Sequence, residues 1–303
     1  MKKERPLYLA IAGMVLVILL QAATLEAQNI YVTSGHGTLE SGTIGEYGLD
    51  GATVNALLVS GLYDPVGIAI SGNDLLVANS IGDTVGEYTT SGTTVNASLI
   101  HGSVSFGVAV SGGNLFVSGV SSLNDMGFVG EYTTSGGAVN VPLISGGSPD
   151  GMAISGNDLF VANVNSGTIG EYGLDGSMVN ASLISGLASP NSIAISGNDL
   201  FVANYYTGTV GEYGLDGSTV NASLITGLST PIGIAIFGDD LFVGSAVKGT
   251  VGEYTTSGAM VNASLISGLS GPISIAIDPA PEPPGSVLAG LGAATLWLWR
   301  RRK

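Results

Sequence analysis

The tripeptide Gly-Glu-Tyr occurs six times in this chain, with its tyrosine at Tyr47, Tyr88, Tyr132, Tyr172, Tyr213 and Tyr254. The intervals are 41, 44, 40, 41 and 41 residues. A period of this length belongs to solenoids and propellers, whose units bury apolar surface only against neighbouring units. One unit, read from Asn191, runs NSIAI-SGNDLFVAN-YYTGTVGEYGLDG-STVNASLITGL. It holds four short apolar runs: a around Ile193-Ala194-Ile195, b from Asp199 to Ala203, c from Thr209 to Tyr213, and d from Val220 to Ile225. Their β-branched and aromatic residues, spaced by Gly, Asn, Asp and Ser, predict strands. Ser-Gly-Asn-Asp reads as the a–b turn, and Asp175-Gly176 or Asp216-Gly217 as a type I′ c–d turn.

Four-stranded antiparallel units repeated six times predict an all-β, six-bladed propeller over residues 28–278; the competitor is an open solenoid. The phase of the ends separates the two. The repeat region opens on a b strand, Asn29-Ile30-Tyr31-Val32, and finishes on an a strand, Ile273 to Ile277. A ring closed by pairing the last strand with the first blade repairs both incomplete ends. The pattern Pro-x-Gly-Ile-Ala-Ile, Asn-Asp-Leu-Phe-Val-Ala-Asn, Val-Gly-Glu-Tyr resembles the NHL-type propeller repeat. That family usually carries a positive or aromatic residue where this chain has Gly before Glu, as at Gly211. Such scaffolds host enzymes, receptors and ligand binders alike.

The ends differ in character. Met1 to Arg5 is basic, and Leu7 to Leu20 is apolar, which predicts a secretory signal over 1–27 cut after Ala23 or Ala27. Residues 279–303 hold Pro281-Glu282-Pro283, an apolar stretch 285–299 and the basic run Arg300-Arg301-Arg302-Lys303. Hydrophobic helices are expected at both termini, the second a short transmembrane segment with its basic tail cytoplasmic. The tail resembles the PEP-CTERM sorting signal of Gram-negative bacteria. The resemblance implies export, an exosortase-type membrane protease as processing partner, and transient inner-membrane anchoring before release to the cell surface or beyond. Its sorting residues would be Pro281, Glu282, Pro283, Arg300, Arg301 and Arg302.

Seven of the 8 Lys and Arg sit in these two ends, so residues 28–280 carry Lys248 against 20 acids, a formal −19. That balance excludes nucleic acid as a partner. The absence of cysteine excludes disulfides and thiolate metal sites.

Function on a repeat scaffold should break the repeat. Glu46, Glu87, Glu131, Glu171, Glu212 and Glu253 recur in every unit and read as blade structure, too far apart on a ring to share an ion. Asn79, Asn163 and Asn204 share a slot with Thr33, Ser118 and Ser245 or Gly244, which suggests a side chain bonding loop backbone. The sequons at Asn96, Asn180, Asn221 and Asn262 are one repeated strand d. His36 and His101 lie beside Gly and read as loop residues. The segments entering strand a do vary, and Asp64, Asp150 and Asn191 are their strongly polar members. Gluconolactonase-type propellers hold Ca²⁺ at such a channel mouth, with a Glu that these loops lack. The expected function is therefore a non-catalytic, exported cell-surface or matrix scaffold, without cofactor, binding a glycan or a protein. The alternative is a metal-dependent lactonase-type hydrolase using Asp64, Asp150 and Asn191.

Overall fold

The computed structural model describes residues 28–35 and 40–278. The anticipated terminal helices, the sorting motif and His36 lie outside the described residues. Among the described residues, no helix is long and apolar enough to cross a membrane.

The strands are β1 (Asn29–Ser34), β2 (Gly42–Gly48), β3 (Thr53–Leu62), β4 (Pro65–Ser71), β5 (Asp74–Asn79), β6 (Thr84–Thr89), β7 (Thr94–His101) and β8 (Ser103–Ser111). There follow β9 (Asn114–Ser121), β10 (Gly127–Thr133), β11 (Ala138–Ser145), β12 (Pro149–Ser155), β13 (Asp158–Asn163), β14 (Thr168–Gly173), β15 (Met178–Ile184) and β16 (Pro190–Ser196). The last are β17 (Asp199–Asn204), β18 (Thr209–Gly214), β19 (Thr219–Ile225), β20 (Pro231–Phe237), β21 (Asp240–Ser245), β22 (Thr250–Thr255), β23 (Met260–Ser267) and β24 (Pro272–Ile277). They form six four-stranded antiparallel sheets, the blades of a six-bladed β-propeller. Five blades use four consecutive strands, and the first has the order β24-β1-β2-β3. In that blade Ile30 stands opposite Ile277, and Val32 opposite Ile275.

Each apolar cluster straddles two blades, which is why no unit folds alone. In β17, Leu200 and Val202 pack toward the fourth blade against Phe160 and Ile184. Phe201 and Ala203 face the other way, against Ile234, Leu241 and Tyr254 of the sixth. Strand b is buried on both faces, so it reads as a continuous apolar run rather than an alternation. Strand d is the outer edge: the first five residues of β19 are exposed.

The Gly of Gly-Glu-Tyr now has a reason. The Tyr213 ring folds back over Gly211, and a Cβ there would lie 2.8 Å from Tyr213 Cε2. The glycines at the same place in the other five blades meet their own tyrosines similarly. Any larger residue would displace the ring from the inter-blade core.

The c–d turn differs from the type I′ expectation. Gly217 has φ +82°, whereas Asp216 is absent from the residues of positive φ. Gly217 N donates to Gly214 O at 2.9 Å, and Gly214 N to Ser218 O at 2.8 Å. This is a three-residue hairpin with glycine alone in the left-handed region. The Asp216 carboxylate accepts from Ser218 N at 3.0 Å across this loop. Gly217 also lies against Leu183 O of the preceding blade, 2.6 Å from where a Cβ would be. Gly51 approaches Leu265 O in the same way between the first and sixth blades.

The repeated Asn-Ala-Ser is a bulge device. Glu212 pairs with Asn221, but Val210 pairs with Ile225, so four residues of strand d span two of strand c. Ser223 N, turned out of the ladder, donates to Asn221 Oδ1 at 3.2 Å. The same bond recurs from Ser98 to Asn96, Ser182 to Asn180 and Ser264 to Asn262. Bulged edges resist strand addition, which suits six exposed outer strands.

Candidate functional site

The first strands of the blades surround a central cavity of ≈ 370 Å³. Its lining follows from the register of the repeat. The residue after the repeat's proline, or after Ser105 in the third blade, is Val66, Phe106, Asp150, Asn191, Ile232 or Ile273, one from each blade, and all six line the cavity. Four of them are apolar. The two polar ones, Asp150 on β12 and Asn191 on β16, are neighbours, and Asn191 Nδ2 donates to Asp150 Oδ2 at 3.2 Å.

Asp64 is not their equivalent. It precedes Pro65 in a left-handed conformation, φ 55°, as Ser189 (φ 59°) and Thr230 (φ 49°) do in other blades. Its carboxylate accepts from Ser80 Oγ at 2.6 Å, and its carbonyl from Ser80 N at 3.0 Å. It also lines the cavity, but from the turn that feeds the strand. The three candidates therefore split into a contacting pair and a buried turn residue.

Burial pushes the Asp150 carboxyl up to about 7, and the hydrogen bond from Asn191 opposes this. The residue keeps some solvent contact through the cavity, which moderates the energetic consequence. A carboxyl raised on folding stabilises the native state fully below its unfolded value and loses that contribution as pH rises to its folded value. This corresponds to at most about 4 kcal/mol, and channel water reduces it to roughly 1–3 kcal/mol. Asp150→Asn should therefore leave stability unchanged at pH 4 and raise it by roughly 1–3 kcal/mol at pH 8. Urea unfolding at both values checks this; a variant equally stable to wild type at pH 8 refutes the buried charge.

Two further residues shape this half of the ring. Ser118 Oγ donates to the Asp150 carbonyl at 2.5 Å and accepts from Gly107 N at 2.8 Å, tying the third blade to the fourth beneath the site. Tyr205 lines the cavity, and its ring stands 5.3 Å from that of Tyr206 at 78°. Tyr206 is 80% exposed. No other b–c turn among the described residues has an aromatic pair, a break in the repeat visible in the sequence as YYTG against VNSG and AVKG.

The remaining candidates are elsewhere. Asn79, Asn163 and Asn204 align with Ser34 and Ser245, one position beyond Thr33, Ser118 and Gly244. Their Nδ2 atoms donate to Val77, Val161 and Val202 carbonyls of their own strand rather than to a loop. Glu46 accepts from Asn29 at 2.7 Å, and Glu131 from Asn114 at 2.8 Å. In the other four blades that partner is Asp, and burial, then the neighbouring Asp, raises Glu87, Glu171, Glu212 and Glu253. Among the described residues, no group of three or more acidic, His or Cys side chains gathers at one point. His101 is not a loop residue; it ends β7 opposite Thr84, exposed.

No family model matches the sequence, and no curated protein matches it. Solved structures do match in shape. One is a structure of a nidogen–laminin complex, at 14% identity and TM-score 0.68, covering 84% of this chain and 99% of that one. Another is a protein of unknown function from Bacteroides caccae, at 17% identity and TM-score 0.62, covering 85% and 100%. A third is a gluconolactonase from Xanthomonas campestris, at 14% identity and TM-score 0.57, covering 66% and 75%. At these identities what is shared is the fold.

Proposed function

We propose that this chain is a non-catalytic binding propeller that takes a protein or glycan ligand at the channel mouth lined by Asp150, Asn191 and Tyr205. The observation that carries the reading is the localised break in sixfold repetition. Carboxylate, carboxamide and the tyrosine pair all fall on the fourth and fifth blades, while the other four channel positions are apolar. The same end exposes Ile81, Leu123, Met126 and Val247 on b–c turns, an apolar rim of the kind that marks interaction surfaces. The likeness in fold to a chain of a nidogen–laminin complex is compatible with this use. The test is binding of the purified chain to glycan arrays and to extracellular-matrix proteins. Tyr206→Ala and Asp150→Asn should each weaken binding at least tenfold without lowering Tm.

A second reading, a metal-dependent lactonase, draws on the gluconolactonase fold likeness and on Asp64, Asp150 and Asn191 lining one cavity. It is disfavoured because Asp150 and Asn191 bond each other while the Asp64 carboxylate accepts from Ser80. Lactone turnover that a chelator removes and Asp150→Asn abolishes would establish it and overturn the binding reading.

We also propose export. The basic start, the apolar run and the Pro281-Glu282-Pro283 tail would take the chain through an exosortase-type protease to the cell surface or matrix. Both tryptophans, Trp297 and Trp299, lie in that tail. Exported protein should therefore lack tryptophan emission and have lost the mass of residues beyond the motif. Retained tryptophan in exported protein would make the tail a lasting anchor. The β24–β1 pairing is proposed as the latch that closes the ring.

A further inference from the structure

Asn191 presents one unsatisfied group in the channel. Its Nδ2 donates to Asp150, which leaves its Oδ1 buried and without a hydrogen-bond partner. With Asp150 ionised, flipping the amide does not help, because it would set Oδ1 against a carboxylate oxygen. Beside it stands the Asp150 carboxylate, in a ring completed by Val66, Phe106, Ile232 and Ile273. A buried acceptor without a donor and a carboxylate without a counter-charge both cost free energy. Lys248, the one cation between residues 28 and 280, lies between β21 and β22 and does not line the cavity.

What both groups lack is a positively charged N–H donor. We infer that the channel binds a primary ammonium group, held by Asp150 and by Asn191 Oδ1, with its hydrocarbon body against Phe106, Ile232 and Ile273. The inference rests on the channel mouth being the binding site. A divalent metal suits the pocket less well, because Ca²⁺ takes six to eight oxygens and, of the six ring positions, Asp150 and Asn191 alone carry side-chain oxygens. A neutral sugar would leave the carboxylate uncompensated. The cavity of ≈ 370 Å³ lies at the small end of ligand sites, which matches an ammonium on a short apolar body. The formal −19 of residues 28–280 draws cations toward the protein.

The ionisation of Asp150 gives the site a pH dependence. Asp64 and Tyr205 are the other titratable residues lining the cavity. Of the strands packed on β12, β8, β9 and β16 carry no ionisable side chain; β10 carries Glu131 and Tyr132, and β13 carries Asp158 at its far end opposite Ser155. Asp150, bonded to Asn191, is the carboxyl beside the proposed ammonium, while that of Asp64 accepts from Ser80.

Calorimetric titration of the full-length protein with n-hexylammonium, against n-hexanol, is the test. Hexylammonium should bind at least tenfold tighter than hexanol, Asp150→Asn should remove that preference, and affinity should rise between pH 5.5 and 8 as the carboxyl ionises. A lysine-containing peptide with blocked ends, run in parallel, tells whether the ammonium belongs to a free amine or to a partner's side chain. Equal binding of hexanol, no binding of either ammonium, or full affinity in Asp150→Asn would overturn the inference. Should the ammonium arms fail while a ligand from the binding screen still depends on Tyr206, the binding-propeller reading stands and the ammonium site alone falls.

Discussion

A chain ending at Gly271 should fail to give a cooperative unfolding transition at 25 °C, whereas one ending at Asp278 should melt as a single unit. The missing strand, β24, carries Ile273 and Ile275, which are 4% and 6% exposed, and Ile277 beside them. Burying three such side chains is worth about 5–8 kcal/mol. Their removal also uncovers Ile30 and Val32, both fully buried, and breaks the bonds of Thr33 Oγ1 with Ser274. The combined loss is comparable to the ~5–15 kcal/mol net stability of an ordinary domain. Circular dichroism melting and sedimentation velocity report the result. Adding a peptide of residues 271–278 in trans should recover part of the transition. An unchanged melting curve in the shorter chain would mean that β24 is dispensable and the proposed latch is wrong.

Phe201→Ala is expected to cost about 3–5 kcal/mol, the range for emptying an aromatic site in a packed core. Phe201 is 1% exposed and lies at the interface of the fifth and sixth blades, in the cluster of Val210 and Ile225 of its own blade with Ile234, Leu241 and Tyr254 of the sixth. The cavity would open at a blade interface, where each side is a rigid sheet and collapse is limited. Urea denaturation gives the magnitude, and Phe201→Leu, with a smaller cavity, should cost less. Equal stability of Phe201→Ala and wild type would show that the interface relaxes freely. The equivalent Phe160 and Phe242 are 1% exposed at their own interfaces, so each predicts the same penalty.

The strands were legible because their determinants are local. The anticipated b strand from Asp199 to Ala203 is β17 less its final Asn204, and the other three strands of that unit fall within a few residues of expectation. The c–d turn was misread because Asp-Gly serves two hairpin types. The choice is set by the register in which strands c and d pair, Tyr213 opposite Thr219, which sequence spacing alone does not decide. The slot alignment of Asn79 slipped by one, since β1 and β9 substitute Thr33-Ser34 and Ser118-Gly119 for Ala-Asn. Tyr205 and Tyr206 were passed over although their signal, an aromatic pair in one turn of the repeat, stood in the sequence.

The sequence by itself determined the period, the number of units, the four strands in each and the acidity of residues 28–280, because these are properties of neighbours along the chain. It also nominated Asp64, Asp150 and Asn191. Only the tertiary structure decided that Asp150 and Asn191 touch while Asp64 is a turn residue bonded to Ser80. The reason is geometric: Asp150 and Asn191 are 41 residues apart, one repeat, and the register of two separate hairpins brings them to the same height beside the channel. The shift of the Asp150 carboxyl has the same origin, since the burial that raises it comes from a ring to which all six blades contribute.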